Sequence, residues 1–148
     1  MISWHLKKFE ELSIWELYPI LRLRSQVFVV EQDCVYQDLD NKDYKALHLF
    51  GKEEDKILAY TRLFKPGYYF DKASIGRVVV DENYRKLKLG HELIRKSIQA
   101  IENHFDTVEI KISAQRYLKK FYETHGFMQI GEGYLEDGIP HIAMVKKD

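Results

Sequence analysis

The sequence predicts a mixed α/β fold (α+β in arrangement) with element order β-α-ββ-β-α-β-α-β-β. Apolar residues fall into seven short strand-type runs and recur at helical spacing in three others. The chain has 148 residues, which suits one domain over 1–148. On folding, such a chain removes about 69% of its surface from water, enough for a core without a disulfide or a metal.

Each element has a local reason. Ile2, Trp4 and Leu6 alternate with Ser3, His5 and Lys7, a short strand. Ser13 with Glu16 three residues on is a capping box, which opens a helix running to about Val30. Residues 31–45 are polar and irregular, a long loop of the kind that usually serves function. Residues 46–52 and 56–64 flank the charged turn Glu53-Glu54-Asp55 and read as an antiparallel hairpin. Pro66-Gly67 breaks the chain, and Ser74 to Val80 forms a further strand whose three valines suggest burial on both faces. A polar turn leads into a helix over 90–103, with Leu93, Ile94, Ile98 and Ile101 on one face. Residues 107–112 alternate as a strand. Residues 115–124 read as an amphipathic helix that Gly126 stops. Residues 127–131 and 139–146 close the chain as two strands.

Charge excludes several functions. Twenty-three basic side chains balance 23 acidic ones. Non-specific nucleic-acid binding needs a positive field, and a polybasic membrane anchor needs the same. Arg85, Lys86 and Lys88 form only a short basic cluster. The single cysteine, Cys34, gives neither an intrachain disulfide nor a multi-cysteine zinc site. There is no apolar leader and no run approaching 18 apolar residues, so the expectation is a soluble, cytoplasmic protein.

Two segments carry the chemistry. The turn Arg85-Lys86-Leu87-Lys88-Leu89-Gly90 lies between a buried strand and a helix. Free N–H groups and the dipole at a helix N-terminus bind phosphate, and Gly90 permits close approach. By itself the turn is equally readable as a solvated basic loop. The second segment is Gln115-Arg116-Tyr117-Leu118-Lys119-Lys120-Phe121-Tyr122, continuing to Gly126-Phe127. By itself it is an amphipathic helix with a core tyrosine.

Together they resemble the GNAT superfamily of acyl-CoA-dependent N-acyltransferases. Arg85 and Gly90 fit the family's Arg/Gln-x-x-Gly-x-Gly/Ala turn, with Lys88 where its first glycine belongs. Phe121, Tyr122, Gly126 and Phe127 fit its second motif, with Gln115 in the Asn position and Leu118 in place of Ala. The segment from Leu23 to Gln32, then Cys34, Tyr36, Gln37 and Asp38, is similar to the ElaA-type branch. Ile75 to Val78 and Asp137 to His141 fit the same branch, and the likeness spans essentially the whole chain.

The resemblance implies a strongly twisted central sheet flanked by helices. It implies acetyl-CoA as acyl donor, no metal, and a small-molecule or peptide amine as acceptor, with a homodimer left open. Acetyl-CoA would lie in a V-shaped gap between the strands at 74–80 and 107–112. Its pantetheine would pair with backbone at Val78 and Val80, and its pyrophosphate would sit on the N–H groups of Lys86, Leu87, Lys88, Leu89, Gly90 and His91, with Arg85 and Gln115 beside it. Val79 or Val80 would offer an N–H to the oxyanion. Tyr122, at the family's usual acid position, would protonate the leaving thiolate.

An alkyl amine, of pKa ~10.4, is only about 0.1% neutral at pH 7.4, so a base is needed. Glu31 and His48 are the candidates. His48 sits among apolar strand residues and is equally readable as a structural histidine, and Glu31 as a loop cap. Asp38 and Asp40 are expected on the acceptor wall. Arg62 and Arg77 read as salt-bridged, or as contacts for an acidic acceptor. Two other readings stay open: a non-catalytic acyl-CoA sensor module, and an acyltransferase for longer donors in the manner of acyl-homoserine-lactone synthases.

Other patterns fail. Residues 91–95 carry Arg95 where a zincin helix needs its second histidine. Asp38, Asp40, Asn41 and Asp43 lack the glycine and spaced Glu of a calcium loop.

Overall fold

A computed structural model describes residues 1–148 apart from residues 86 and 87. The strands are β1 (Ser3–Lys8), β2 (Leu47–Glu53), β3 (Lys56–Phe64), β4 (Ser74–Val80), β5 (Ile110–Gln115), β6 (Met128–Glu136) and β7 (Ile139–Lys146). The helices are α1 (Ile14–Arg24), α2 (Leu89–Phe105) and α3 (Lys119–Glu123). No helix among the described residues is long and apolar enough to cross a membrane.

The strands form two antiparallel sheets, ordered β1-β2-β3-β4 and β5-β7-β6. The two halves meet where β4 and β5 run parallel, at the Ala73–Ile110 bridge. There the Lys111 N–H donates to the Ala73 carbonyl at 2.8 Å. Beyond that bridge the ladder stops. β3 pairs Tyr60 with Val79 and Arg62 with Gly76, so Thr61 alone faces both Arg77 and Val78. This is a β-bulge, and Arg77 takes the left-handed conformation at φ 50°. A bulge bends its strand, and β4 diverges from β5.

Apolar packing fixes the layers. α2 buries Leu93, Ile94, Ala100 and Ile101 in a core shared with Leu58, Ile110, Ile112 and Met144. α1 buries Ile20 and Leu23 against Phe50, Ile57, Tyr60 and Val79. The capping box is present: the Glu16 N–H donates to Ser13 Oγ at 3.2 Å, and the Ser13 N–H to Glu16 Oε1 at 2.9 Å. After Arg24 the helix widens into a π-turn over Ser25–Glu31. The β-branched residues Val27, Val29 and Val30 crowd a tight α-helix and lower its propensity.

Some boundaries differ from expectation. β5 starts at Ile110 rather than 107, because pairing with β7 (Ile110 with Lys146) sets its register. Gln115 ends that strand instead of opening a helix. A 3-10 turn, Arg116–Leu118, precedes the short α3. Gly126 at φ +90° stops α3 as the sequence requires. β6 runs on to Glu136, with an irregularity between Ile130 and Tyr134.

The polar loop is tied down by ions rather than by apolar contact. Arg24 Nε bonds Asp38 at 3.0 Å and its Nη1 bonds Asp43 at 2.8 Å. Arg62 holds both Asp40 oxygens, at 2.8 and 2.6 Å, and reaches Asp43 at 3.1 Å. Arg77 Nη2 donates to the Asp38 carbonyl at 2.9 Å. Its Nε lies 2.8 Å from Asp38 Oδ1 but points off the line of a hydrogen bond, leaving an ion pair. Three guanidinium groups thus meet three carboxylates. Asp38 and Asp40 are bound in this network, which corrects their expected place on the acceptor wall. Arg62 and Arg77 are the salt-bridged residues of the two readings.

Arg24 is fully buried, so removing its charge leaves two buried carboxylates short of a partner. Arg24→Met should lower unfolding free energy by about 3 kcal/mol, the lower end for a broken buried pair, because Arg62 and Arg77 still hold Asp43 and Asp38. Urea denaturation of the two proteins measures this; a loss under about 1 kcal/mol would show the network to be dispensable.

Candidate active site

The divergence of β4 from β5 opens a cleft of about 650 Å³. One wall is β4 from Ile75 to Val80, and the opposite wall is β5 from Ile112 to Gln115. Between Ile75 and Val80, β4 is paired to β3 on one edge, and β5 does not pair with the other. Lys88, Gly90 and His91 line the cleft at the start of α2. α2 has 17 residues; the N–H groups of Leu89 and Gly90 precede its first helical bond and stand at the positive end of its dipole. Lys88 takes the left-handed conformation at φ 57°, as a glycine would, and its carbonyl accepts from the His91 N–H at 3.2 Å. A Cβ on Gly90 would meet only Phe121, at 3.5 Å, an ordinary contact. The fold itself therefore does not require glycine there.

Tyr122 comes from α3 and is buried on the cleft. Its ring packs edge-on against Phe121 and Phe127. No described residue hydrogen-bonds its hydroxyl. Burial pushes that hydroxyl well above its ordinary value, with Tyr117 adding to the effect, so it is protonated at neutral pH. His91 packs against Phe121 with the rings tilted by 37°, and its Nδ1 lies 2.9 Å from His125 Nε2. Burial, then the charges of His91 and Arg95, holds His125 below its ordinary value.

Arg85 closes the rim. Its Nε donates to the Val80 carbonyl at 3.1 Å, and its two terminal nitrogens hold Glu31 at 2.6 and 2.9 Å. Gln115 Nε2 donates to Gln32 Oε1 at 3.2 Å, joining β5 to the end of the π-turn. The part of the long loop that reaches the cleft is Glu31, Gln32, Cys34 and Tyr36.

Comparison with known proteins follows the same lines. Residues 15–148 match the family model described as an acetyltransferase (GNAT) domain. The chain is 40% identical to Protein ElaA of Escherichia coli over 99% of its own length and 97% of that protein. The crystal structure of E. coli ElaA superposes with a TM-score of 0.92 at 39% identity, covering 99% of this chain and 100% of that one. An acyl-CoA N-acyltransferase from Pseudomonas aeruginosa does so with a TM-score of 0.92 at 40% identity, covering 97% and 99%.

Most of the residues singled out in the sequence converge on the cleft: Val78, Val79, Val80, Arg85, Lys88, Gly90, His91, Gln115, Tyr122 and Glu31. Leu89 is buried in the core, so only its backbone could contribute. Lys86 and Leu87 lie outside the described residues. Glu31 is on the cleft with both oxygens held by Arg85. Cleft residues that the sequence reading missed are Ser113, Glu136 and His141. Asp137 to His141 stood out as a motif, but nothing in the sequence said that its turn folds against β5.

His48 does not reach the cleft, which corrects its expected place there. It is buried on β2, with Nδ1 2.6 Å from the Tyr60 hydroxyl and Nε2 2.9 Å from the Asp43 carbonyl. Burial pushes its pKa below the ordinary value, although the Asp43 carbonyl and carboxylate oppose this. A histidine kept neutral in the fold binds a proton more readily once unfolded, so stability falls as pH drops below ~6.5. His48→Gln should flatten part of the stability slope between about pH 6.5 and 5. Tm measured across that range checks it; an unchanged slope would show that His48 does not supply it.

Proposed function

Because the chain belongs to the GNAT acetyltransferase family, we propose that it transfers an acetyl group from acetyl-CoA to a primary amine of a small molecule or peptide. The amine attacks the thioester directly, with both substrates bound, in one catalytic domain over 1–148 and in a cytoplasmic setting. One observation carries the reading. The gap between β4 and β5 brings a free strand edge, a helix N-terminus and a buried tyrosine onto one cleft.

Each part supports a step. The free N–H groups at the start of α2, with Lys88 beside them, suit the pyrophosphate. The β4 edge at Val78 suits the pantetheine amides; the Val80 carbonyl is already bonded to Arg85. Glu31 orients Arg85 at the rim by its two-oxygen grip. A backbone N–H at Val79 or Val80, beside the bulge, meets the carbonyl oxygen as it becomes an oxyanion. As the C–S bond breaks, the electron pair leaves on sulfur, and the Tyr122 hydroxyl gives it a proton. The raised pKa means that Tyr122 carries its proton at neutral pH.

Acetyl-CoA should raise Tm, because it binds only the folded state. Gly90→Glu should abolish this rise while leaving the ligand-free Tm close to wild type, since the first side-chain atom has room and only the anion site is blocked. Equal acetyl-CoA affinity in the variant would move the phosphate site elsewhere.

Tyr122→Phe should lower kcat about 100-fold, the low end for a general acid whose leaving group is already fair, with acetyl-CoA affinity nearly unchanged. Release of CoA thiol with an amine panel measures it. Turnover near wild type, with the same basic limb in the pH profile, would assign the proton to water.

A further inference from the structure

The cleft carries a polar group that the acid and phosphate sites leave unused. Ser113, Glu136 and His141 all line it. Gly76, Arg77 and Val78, at the β4 bulge, line the same cleft. His141 is the register partner of Gln115 on β7, and Tyr134 is its partner on β6. The group therefore stands beside the β4 bulge, where the thioester carbonyl is placed under the reading above.

Its hydrogen bonds define the state of the imidazole. His141 Nδ1 lies 2.7 Å from the Ile139 carbonyl, which only accepts, so Nδ1 carries the hydrogen. Neutral His141 then has a lone pair on Nε2. That nitrogen sits 3.4 Å from Glu136 Oε2, a contact that becomes an ion pair only once the ring takes up a proton. Glu136 is itself oriented: Ser113 Oγ donates to its Oε1 at 3.1 Å, and the Tyr134 hydroxyl meets Ser113 Oγ in turn. The His141 ring lies nearly parallel to Tyr134 and is 7% exposed. The Ile139 carbonyl thus orients the imidazole, and a carboxylate held by Ser113 stands ready beside the nitrogen that would become charged.

The local charge selects the acceptor. Arg77 is the nearby permanent cation, and Asp38 and Asp40 already pair with it. Glu136 has no lysine or arginine partner among the described residues; beside it stands His141, which pairs with it only when protonated. Asp137 adds a second carboxylate to this wall. The Tyr69 hydroxyl also feels Glu136: burial first, then that charge, pushes it up. With His141 neutral, the wall favours a cation and repels a carboxylate.

Resting on the acyltransferase reading, we propose that His141, with Glu136 beside its Nε2 to stabilise the imidazolium, takes the proton from the ammonium group of a cationic primary amine with no carboxylate beside it. The N–H bond breaks toward His141 Nε2, giving the free amine and an imidazolium beside Glu136. The amine nitrogen attacks the thioester carbon, and the C–S bond breaks with its electron pair on sulfur. Tyr122 protonates that sulfur. The second N–H proton leaves the new amide to water, which restores Tyr122 through solvent, and His141 returns its own proton to water.

The test uses 1,5-diaminopentane and lysine as probes within the amine panel, reading CoA thiol release. His141→Ala should lower kcat/KM at least 100-fold, the lower bound for a general base, and lose the acid limb of the pH profile. Acetyl-CoA should still raise its Tm. Added imidazole should restore turnover to His141→Ala, which a merely structural histidine would not allow. Glu136→Gln should lower kcat and leave the KM for acetyl-CoA unchanged. The diamine should outperform lysine. If wild type turns over while His141→Ala keeps its rate and acid limb, or gains nothing from imidazole, the role of His141 is overturned. Preference for lysine overturns the acceptor class. A wild type that releases no thiol with any amine overturns the acyltransferase reading, and this inference with it.

Discussion

The ion network between Arg24, Arg62 and Arg77 and the three loop aspartates is the constraint on which the site depends. Arg77 is the residue whose left-handed backbone makes the β4 bulge. A non-glycine residue in that conformation costs on the order of 1 kcal/mol and persists only where its surroundings hold it. Asp38 supplies that hold twice, through its carboxylate and its carbonyl. Asp38 is in turn fixed by Arg24 from α1 and by the Tyr36 hydroxyl at 2.7 Å. The bulge that opens the cleft is thus secured by a loop with little apolar surface of its own.

Such a network is expensive to bury. Desolvation of an ion pair can exceed the attraction it recovers, and hydrophobic replacements often stabilise. Asp40 illustrates the balance. Burial pushes its carboxyl up, but the Arg62 hydrogen bonds and charge pull it further down, well below the usual carboxylate range. What the network provides beyond stability is position. It joins α1, the loop, β3 and β4 at one place, and the strand edge it shapes faces the cleft.

Much of this was legible in sequence where the cause is local. The Ser13–Glu16 capping box, the 56–64 strand, the limits of β4 and the stop at Gly126 each follow from a few adjacent residues. Even Lys88, standing where the family pattern has glycine, takes the conformation a glycine would. The misplacements have a common cause. β5 begins three residues late because its register belongs to β7, where Ile110 pairs with Lys146, 36 residues on. His48 looked like a base because its type and strand were visible, while its partners Tyr60 and the Asp43 carbonyl were not.

By itself the sequence determined the seven strands, the starts of the first two helices and the residue types at the anion turn and at Tyr122. Periodicity, caps and glycine conformations act within a turn or two of chain, so they can be read in order along it. Tertiary structure alone decided which carboxylates are held in ion pairs and which stand open on the cleft. Asp38, Asp40 and Asp43 look like a free acidic loop in the sequence, and Glu136 looks like one more turn residue. Their roles depend on which guanidinium, imidazole or strand edge arrives within about 3 Å. That distance is set by packing between elements up to 103 residues apart, as in the contact of Cys34 with the Asp137 carbonyl.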